Sequence, residues 1–340
     1  MSEPSMIGDA VAKMLAQAQA SAASQGSGAA TDTQDLDLAL WQTLVESGVP
    51  RLLRPESQGG AGNAFRDAAE VLQAVGMHAP AVPLTDTLLA HFLLSRASID
   101  LSDARPIRLR VAAPDGTPDA GAAAAPQQSQ SGTEHTHLLE LDPWGDEVVM
   151  TWHPLTDASS ATAGAASGRM LRSAETAMVQ GLLAMAGASV LTGAMMRAMA
   201  MAIEWAGTRV QFGRPIGQFQ AIQHSLALAA EELAASRAAL DWAAQELEVG
   251  RPMPAAAIAK ARAAEAAGKV AAITHQVHGA IGFTAEFSLF RSTQQLWLWR
   301  DRWGDEHHWN AWLGRQALAA GPDGLFDLIM GESGQANLRA

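Results

Sequence analysis

The sequence predicts a mainly α protein: an N-terminal helical domain over residues 1–104, a reduced middle β segment with a flexible loop over 105–168, and a C-terminal four-helix bundle domain over 169–340. Three observations predict it. At 340 residues the chain has room for two domains or three small ones, and 48% hydrophobic against 17% charged residues gives it a large interior. From Arg169 onward, long stretches carry apolar residues at helical spacing. Strand-like runs are short and confined to the region from about Pro106 to Pro154.

Taken in order, Ile7 to Gln17 reads as one short helix, and the Ser/Gly/Gln-rich stretch from Ser21 to Gln34 as a flexible connection. Asp35 to Gly48 and Ala64 to Val75 have helical periodicity, separated by the turn chemistry of Pro55, Gly59, Gly60 and Gly62. This helical part ends near Ala97. Ile107 to Ala112, Thr136 to Leu141 and Glu147 to Trp152 read as strands, with a loose Ala/Gly/Pro/Gln/Ser excursion from Pro114 to Gly132. Three long helices are expected over Ala174 to Thr208, Gln218 to Val249 and Pro254 to His278, the last closing at Gly279. Helices of this length need each other's apolar faces, and a bundle follows.

Composition excludes several function classes. A net charge of -12, from 35 acidic and 23 basic residues, argues against a phosphate-tracking surface and so against nucleic acid. With no Cys there is no disulfide, thiolate zinc site, iron–sulfur cluster or cysteine nucleophile, and the chain is suited to a reducing cytoplasm. No apolar run is long enough for a membrane span; Met178 to Trp205 comes closest but carries Arg197 and Glu204. Met1 to Met14 holds Glu3 and Asp9 and lacks the basic leader and apolar block of a secretory signal. The expected location is cytoplasmic. Tyr is absent while Trp297, Trp299, Trp303, Trp309 and Trp312 crowd one stretch, which fits packing of helices or of a subunit interface.

Two segments carry candidate chemistry. Arg209, Val210, Gln211, Phe212, Gly213, Arg214 and Pro215, with Phe219, Gln220 and Gln223, lie at a helix-to-helix turn. Arg209 is suited to bidentate phosphate contacts, Gln211 and Gln220 to hydrogen bonds, and Phe212 to a flat contact, as a nucleotide diphosphate requires. The simpler alternative is a surface arginine beside a turn with Phe212 in the core. Gln276 to Phe283 closes a long helix, where Gly279 and Gly282 permit positive φ and close backbone approach; a plain glycine cap is the alternative. His275, His278 and the Asp305, Glu306, His307, His308 run fall short of a metal site. Neither a paired Glu-x-x-His arrangement nor His-Glu-x-x-His occurs on a predicted helix, and Glu134 to His137 lies in the loose segment. Gly-x-Gly-x-x-Gly, P-loop and Gly-x-Ser-x-Gly motifs are absent.

Together and in order, these segments resemble the acyl-CoA dehydrogenase family. Arg209 to Gln220 resembles its Arg-x-x-Phe-Gly...Gln turn, and Gln276 to Phe283 its Gln-x-x-Gly-Gly-x-Gly-Phe helix end, with Ala280 at the second glycine. The likeness extends over Leu40 to Gly62, Ala68 to Ala81 and nearly all of Ala184 to Arg315. It implies an acyl-CoA dehydrogenase-like fold and FAD at a subunit interface. Arg209, Phe212, Gln220, Gln276, Val277 and Gly279 would contact FAD belonging mainly to a neighbouring subunit.

The family's catalytic Glu usually precedes a Gly in the loop after the penultimate helix, where this sequence has Trp303 before Gly304. The alternative position, on the first helix of the C-terminal domain, falls at Leu183 and Ala184, and the nearest upstream acid is Glu175. The catalytic residue is therefore unassigned, with Asp305 and Glu306 the remaining candidates for a relocated base. With the middle domain shortened as well, the resemblance is to the short, base-lacking subunit of heteromeric steroid-type acyl-CoA dehydrogenases. That implies a full-length acyl-CoA dehydrogenase subunit as partner, an acyl-CoA substrate and electron-transfer flavoprotein as acceptor. A self-contained enzyme and a flavin-free structural or regulatory paralogue are the alternatives.

Overall fold

A computed structural model describes residues 5–24, 36–62, 64–99, 105–114, 137–145, 147–153, 169–171, 173–284 and 287–330. The first helix, α1 (Met6–Ser24), runs past its expected end at Gln17. Its second half is Ala-rich, and alanine costs a helix nothing in side-chain entropy. Next come α2 (Leu38–Glu46), α3 (Phe65–His78) and α4 (Leu84–Arg96). Asp37 caps α2 by accepting the Leu40 N–H at 2.9 Å. Leu84 to Ser95 is buried almost throughout, so α4 is a core helix rather than an amphipathic one.

The middle segment is a four-stranded sheet in the order β1 (Ile107–Val111), β2 (His137–Asp142), β3 (Val148–His153), β4 (Arg169–Leu171). β1 and β2 are parallel, pairing Ile107 with His137, and the other pairs are antiparallel. The three expected strands are present; β4 is additional, only three residues long, and too short to carry a readable alternation. The expected loose excursion at 114–132 lies almost entirely outside the described residues. The outer edge of β1 is closed by α4: Thr87 Oγ1 accepts the Ile107 N–H (2.9 Å) and donates to the Ile107 carbonyl (3.1 Å), and Asp86 Oδ2 accepts the Leu109 N–H (3.2 Å). Side chains thus satisfy backbone groups that an open strand would leave unpaired.

The rest is helical: α5 (Ser173–Thr208), α6 (Gln220–Glu248), α7 (Ala255–His278), α8 (Leu289–Asp301) and α9 (Glu306–Met330). α5 is long and apolar enough by composition to cross a membrane, but it is buried against α3, α6, α7 and α8. Small side chains let the backbones approach. A Cβ at Gly193 of α5 would lie 1.9 Å from the Gln73 carbonyl oxygen of α3, and one at Gly76 of α3 would lie 2.0 Å from the Val190 carbonyl oxygen of α5. The two helices cross backbone on backbone at this glycine pair. Lys260 on α7 is fully buried and donates to the carbonyls of Trp299 (2.7 Å) and Arg300 (2.9 Å), two of the orphan acceptors at the C-terminal end of α8. Gly187 makes room for its stem, since a Cβ there would sit 2.9 Å from Lys260 Cε.

His91, buried on α4, has a ring nitrogen, Nδ1, without a partner. Burial first, then the Arg54 and Arg51 charges, push its pKa from 6.5 to about 3. The folded state therefore keeps His91 neutral where the unfolded chain binds a proton. Its contribution to stability is complete above about pH 6.5 and is lost as pH falls from there. At about 1.4 kcal/mol per pH unit, acidification to about pH 5 is expected to remove on the order of 2 kcal/mol. His91→Leu should abolish that share. Denaturant titrations of both proteins at the two pH values check this; equal acid losses in both would overturn it.

Candidate functional site

The sequence ends α5 at Thr208 and turns back at once. Val210–Gln211 (β5) pairs with Arg214–Pro215 (β6), leaving Phe212 and Gly213 at the tip with φ of +51° and +82°. Positive φ at both central residues is the signature of a type I′ turn, whose twist matches a tight hairpin. Glycine adopts it freely, but phenylalanine does so under strain. Phe212 is not in the core, contrary to the simpler alternative: it is 93% exposed. Arg209, Gln211 and Gln220 are exposed beside it. A 3₁₀ turn, Ile216–Gln218, leads into α6, which begins at Gln220 rather than Gln218.

The second segment lies at the same end of the bundle. Val277 of α7 packs in a small apolar cluster with Ala202 and Ala206 of α5, flanked by Ile216 and Ile222 from the turn and α6. That cluster ties the two motifs together. Trp205 stacks on His278 (centroids 5.7 Å, planes 17° apart), and the Arg209 guanidinium lies 5.8 Å from the Trp205 ring. His278 Nδ1 is 2.7 Å from the Thr274 carbonyl oxygen, so Nδ1 carries the proton. His275 Nε2 is 2.9 Å from Thr293 Oγ1, and its ring stacks on Phe283 at 4.2 Å. Burial depresses both histidines below the usual value.

α7 stops at Gly279, whose φ is +69° and whose missing Cβ would meet nothing within 4 Å; Gln276 and Gly279 are exposed. The Val277 side chain is buried, leaving only its backbone to reach outward. Trp205, His275 and His278, which set the shape of this helix end, were not among the site residues read from sequence. Trp205 lies one helical turn before Arg209, and that spacing was the available signal.

In the loop from α8 to α9, Trp303 and Gly304 stand where the family resemblance aligns the base and the glycine after it. Trp303 is buried with φ +61°, followed by Gly304 at +87°. Asp305 Oδ1 accepts the His308 N–H (2.8 Å) as an N-terminal cap of α9. Glu306 grips Arg300 through Nε and Nη2, and that guanidinium holds its carboxyl below the usual range. Leu183 and Ala184 are buried in the core, and Glu175 pairs with Arg96 at 3.5 Å. Of the crowded tryptophans, Trp299, Trp303 and Trp309 are buried between helices, whereas Trp297 is exposed. Among the described residues no group of three or more His, Asp or Glu side chains is placed to share a metal ion.

The family model "Acyl-CoA dehydrogenase, C-terminal domain" matches residues 171–299. Over 301 residues the chain is 30% identical to acyl-CoA dehydrogenase IpdE2 of Mycobacterium tuberculosis, covering 84% of this chain and 88% of that protein. Among solved structures, a chain of the ChsE4-ChsE5 complex from Mycobacterium tuberculosis matches with a TM-score of 0.72 at 21% identity, covering 93% of this chain and 97% of that one. A chain of the Tcur3481-Tcur3483 steroid ACAD matches with a TM-score of 0.69 at 23% identity, covering 96% and 97%. The structural matches establish the fold, and the relative that follows the chain through most of its length establishes descent: the protein belongs to the acyl-CoA dehydrogenase family.

Proposed function

We propose that this chain is the smaller subunit of a flavin-dependent acyl-CoA dehydrogenase and completes the FAD site of a full-length catalytic partner. One observation carries the reading: a phenylalanine held in solvent on a strained, positive-φ hairpin, beside an exposed arginine. A bulky ring in that conformation costs stability of order 1–3 kcal/mol, and it stays in solvent with an edge contact to the Phe219 ring (centroids 6.1 Å) that covers little of it, which points to a ligand or subunit that covers the rest. The residues fit FAD. Arg209 presents a guanidinium suited to a pyrophosphate, Phe212 a flat face, and Gln220 and Gln276 exposed amides. Gly279 offers open backbone, with space where a Cβ would stand.

When bound, FAD takes up the hydride lost from the β-carbon of an acyl-CoA as a carboxylate removes the α-proton. In this chain Asp305 is engaged in a helix cap, Glu306 with Arg300 and Glu175 with Arg96, and Asp301, the other acid beside the loop, is exposed at the end of α8. That supports placing the base on the partner and weighs against a self-contained enzyme using Asp305 or Glu306. The ChsE4-ChsE5 complex and the steroid ACAD among the structural relatives support a heteromer acting on a bulky, steroid-type acyl-CoA; a cytoplasmic location and electron-transfer flavoprotein as acceptor are part of the same proposal.

Expression alone and with a full-length dehydrogenase encoded beside it tests the reading. Stoichiometric flavin and turnover are expected only from the co-expressed pair. Both with the chain alone would overturn the subunit assignment, and a colourless, fully assembled pair would overturn the flavin site.

A further inference from the structure

The last helix carries apolar residues that the described chain leaves uncovered. α9 packs chiefly on α7, and Trp309 is its last buried side chain: from Asn310 to Leu328 no residue is buried, although Trp312 and Leu313 pack partly on the core. Leu318, two and a half turns beyond Trp309, faces the opposite side of the helix and is 85% exposed. Gly321 then leaves the helical path (φ +69°, ψ -179°), and Pro322 opens a second helical segment, 322–330, on which Leu325 and Phe326 are exposed as well.

A helical segment this short does not hold its shape in water by itself, and apolar side chains left in solvent give it no packing to rest on. Its charges are unmatched too. Arg315, the single Lys or Arg of α9, and Asp323 and Asp327 are exposed and make no ion pair among the described residues. Gly314 and Ala319 keep the exposed side open to close approach of another backbone; a Cβ at Gly314 would meet nothing within 4 Å. The cation lies before the kink and the anions after it, so the surface carries its own electrostatic complement. Two copies meeting head to tail along α9 set opposite charges together, whereas a parallel meeting sets like against like.

We propose that α9 is a self-association surface, pairing antiparallel with α9 of a second copy of this chain about a two-fold axis. Arg315 and Asp323 stand four residues to either side of Ala319, so an axis at Ala319 sets Arg315 of each copy against Asp323 of the other, with Asp327 one turn further on. The two Leu318 side chains meet beside the axis, and Leu325 and Phe326 extend the apolar contact past the kink. A membrane surface fits less well, since Asp323 and Asp327 would face its anionic head groups. The surface shares no residue with the hairpin or the α7 end, and its test is independent of the flavin assignment.

Sedimentation velocity on the full-length chain at low salt, from low micromolar to about 100 μM, tests the pairing. A concentration-dependent dimer is expected. Leu318 is exposed in the single chain, so Leu318→Glu should leave the circular dichroism spectrum unchanged while weakening the dimer about a hundredfold, as loss of a leucine contact in each copy requires. Arg315→Glu alone, and Asp323→Arg combined with Asp327→Arg, should each dimerise about tenfold more weakly than the unaltered chain. A mixture of these two variants should recover the original affinity, because opposite charges then face each other on both sides of the axis. A chain that stays monomeric throughout, a dimer that survives Leu318→Glu, or a mixture no tighter than either variant by itself would overturn the proposal. If the chain is monomeric alone and Leu318→Glu instead releases a co-expressed full-length dehydrogenase, the surface belongs to that partner and self-association is likewise overturned.

Discussion

Gly193→Ala is expected to destabilise the protein by about 3 kcal/mol or more, because the added methyl would stand 1.9 Å from the Gln73 carbonyl oxygen. That atom belongs to the α3 backbone and cannot swing aside as a side chain would. The helices must move apart, opening contacts all along one of the main interfaces of α5. Gly207→Ala is the matched control: it lies in the same helix, exposed, with nothing within 4 Å of the new atom. There alanine should be neutral or stabilise by up to about 1 kcal/mol through helix propensity. Urea unfolding of the two variants separates the effects. Equal stability in both would mean that α3 and α5 do not cross at the glycines.

Arg209→Ala, in the assembled pair, is expected to weaken flavin retention by about tenfold to a hundredfold, the loss of 1.5 to 3 kcal/mol that accompanies removal of a charged hydrogen-bond partner. The fold of the chain should barely change, since Arg209 is exposed and outside the core. Phe212→Gly gives the sharper test because two readouts move in opposite directions. Relief of a phenylalanine at φ +51° should stabilise the isolated chain by about 1 kcal/mol, while removal of the ring weakens flavin retention in the pair. Flavin content after gel filtration and the unfolding midpoint of the isolated chain are the two measurements. A variant that keeps its flavin would remove Phe212 from the site.

The long helices were legible because their signal is local and repeated: apolar residues every third or fourth position, ended by Gly213, Pro215 or Gly279. The two candidate site segments were legible as residue types in a spacing. Their exposure was not. Phenylalanine as a residue type is core by default, and only the backbone conformation shows Phe212, between Gln211 and Gly213, in solvent. Lys260 shows the converse: on a helix a lysine reads as surface, yet this one is interior because its ammonium meets carbonyls at the end of a helix distant in sequence. Gly76 and Gly193 read as weak points within helices, since nothing local reveals that each faces the other's backbone. A cavity beside Arg302 was also invisible, its walls coming from segments spread across most of the chain.

Trp303 bears on how this chain can change over time. It occupies the loop position that the family resemblance aligns with a base, and its indole is packed against Trp299 and Arg302, with its carbonyl accepting from Trp309 Nε1 at 3.2 Å. A glutamate there would leave a void the size of an indole, costing several kcal/mol, and would bury a new carboxylate. No single substitution places a carboxylate at this position without first endangering the fold. On the subunit reading proposed above, Trp303 would act as an evolutionary ratchet, leaving a carboxylate at this position reachable only by a multi-step path through unstable intermediates.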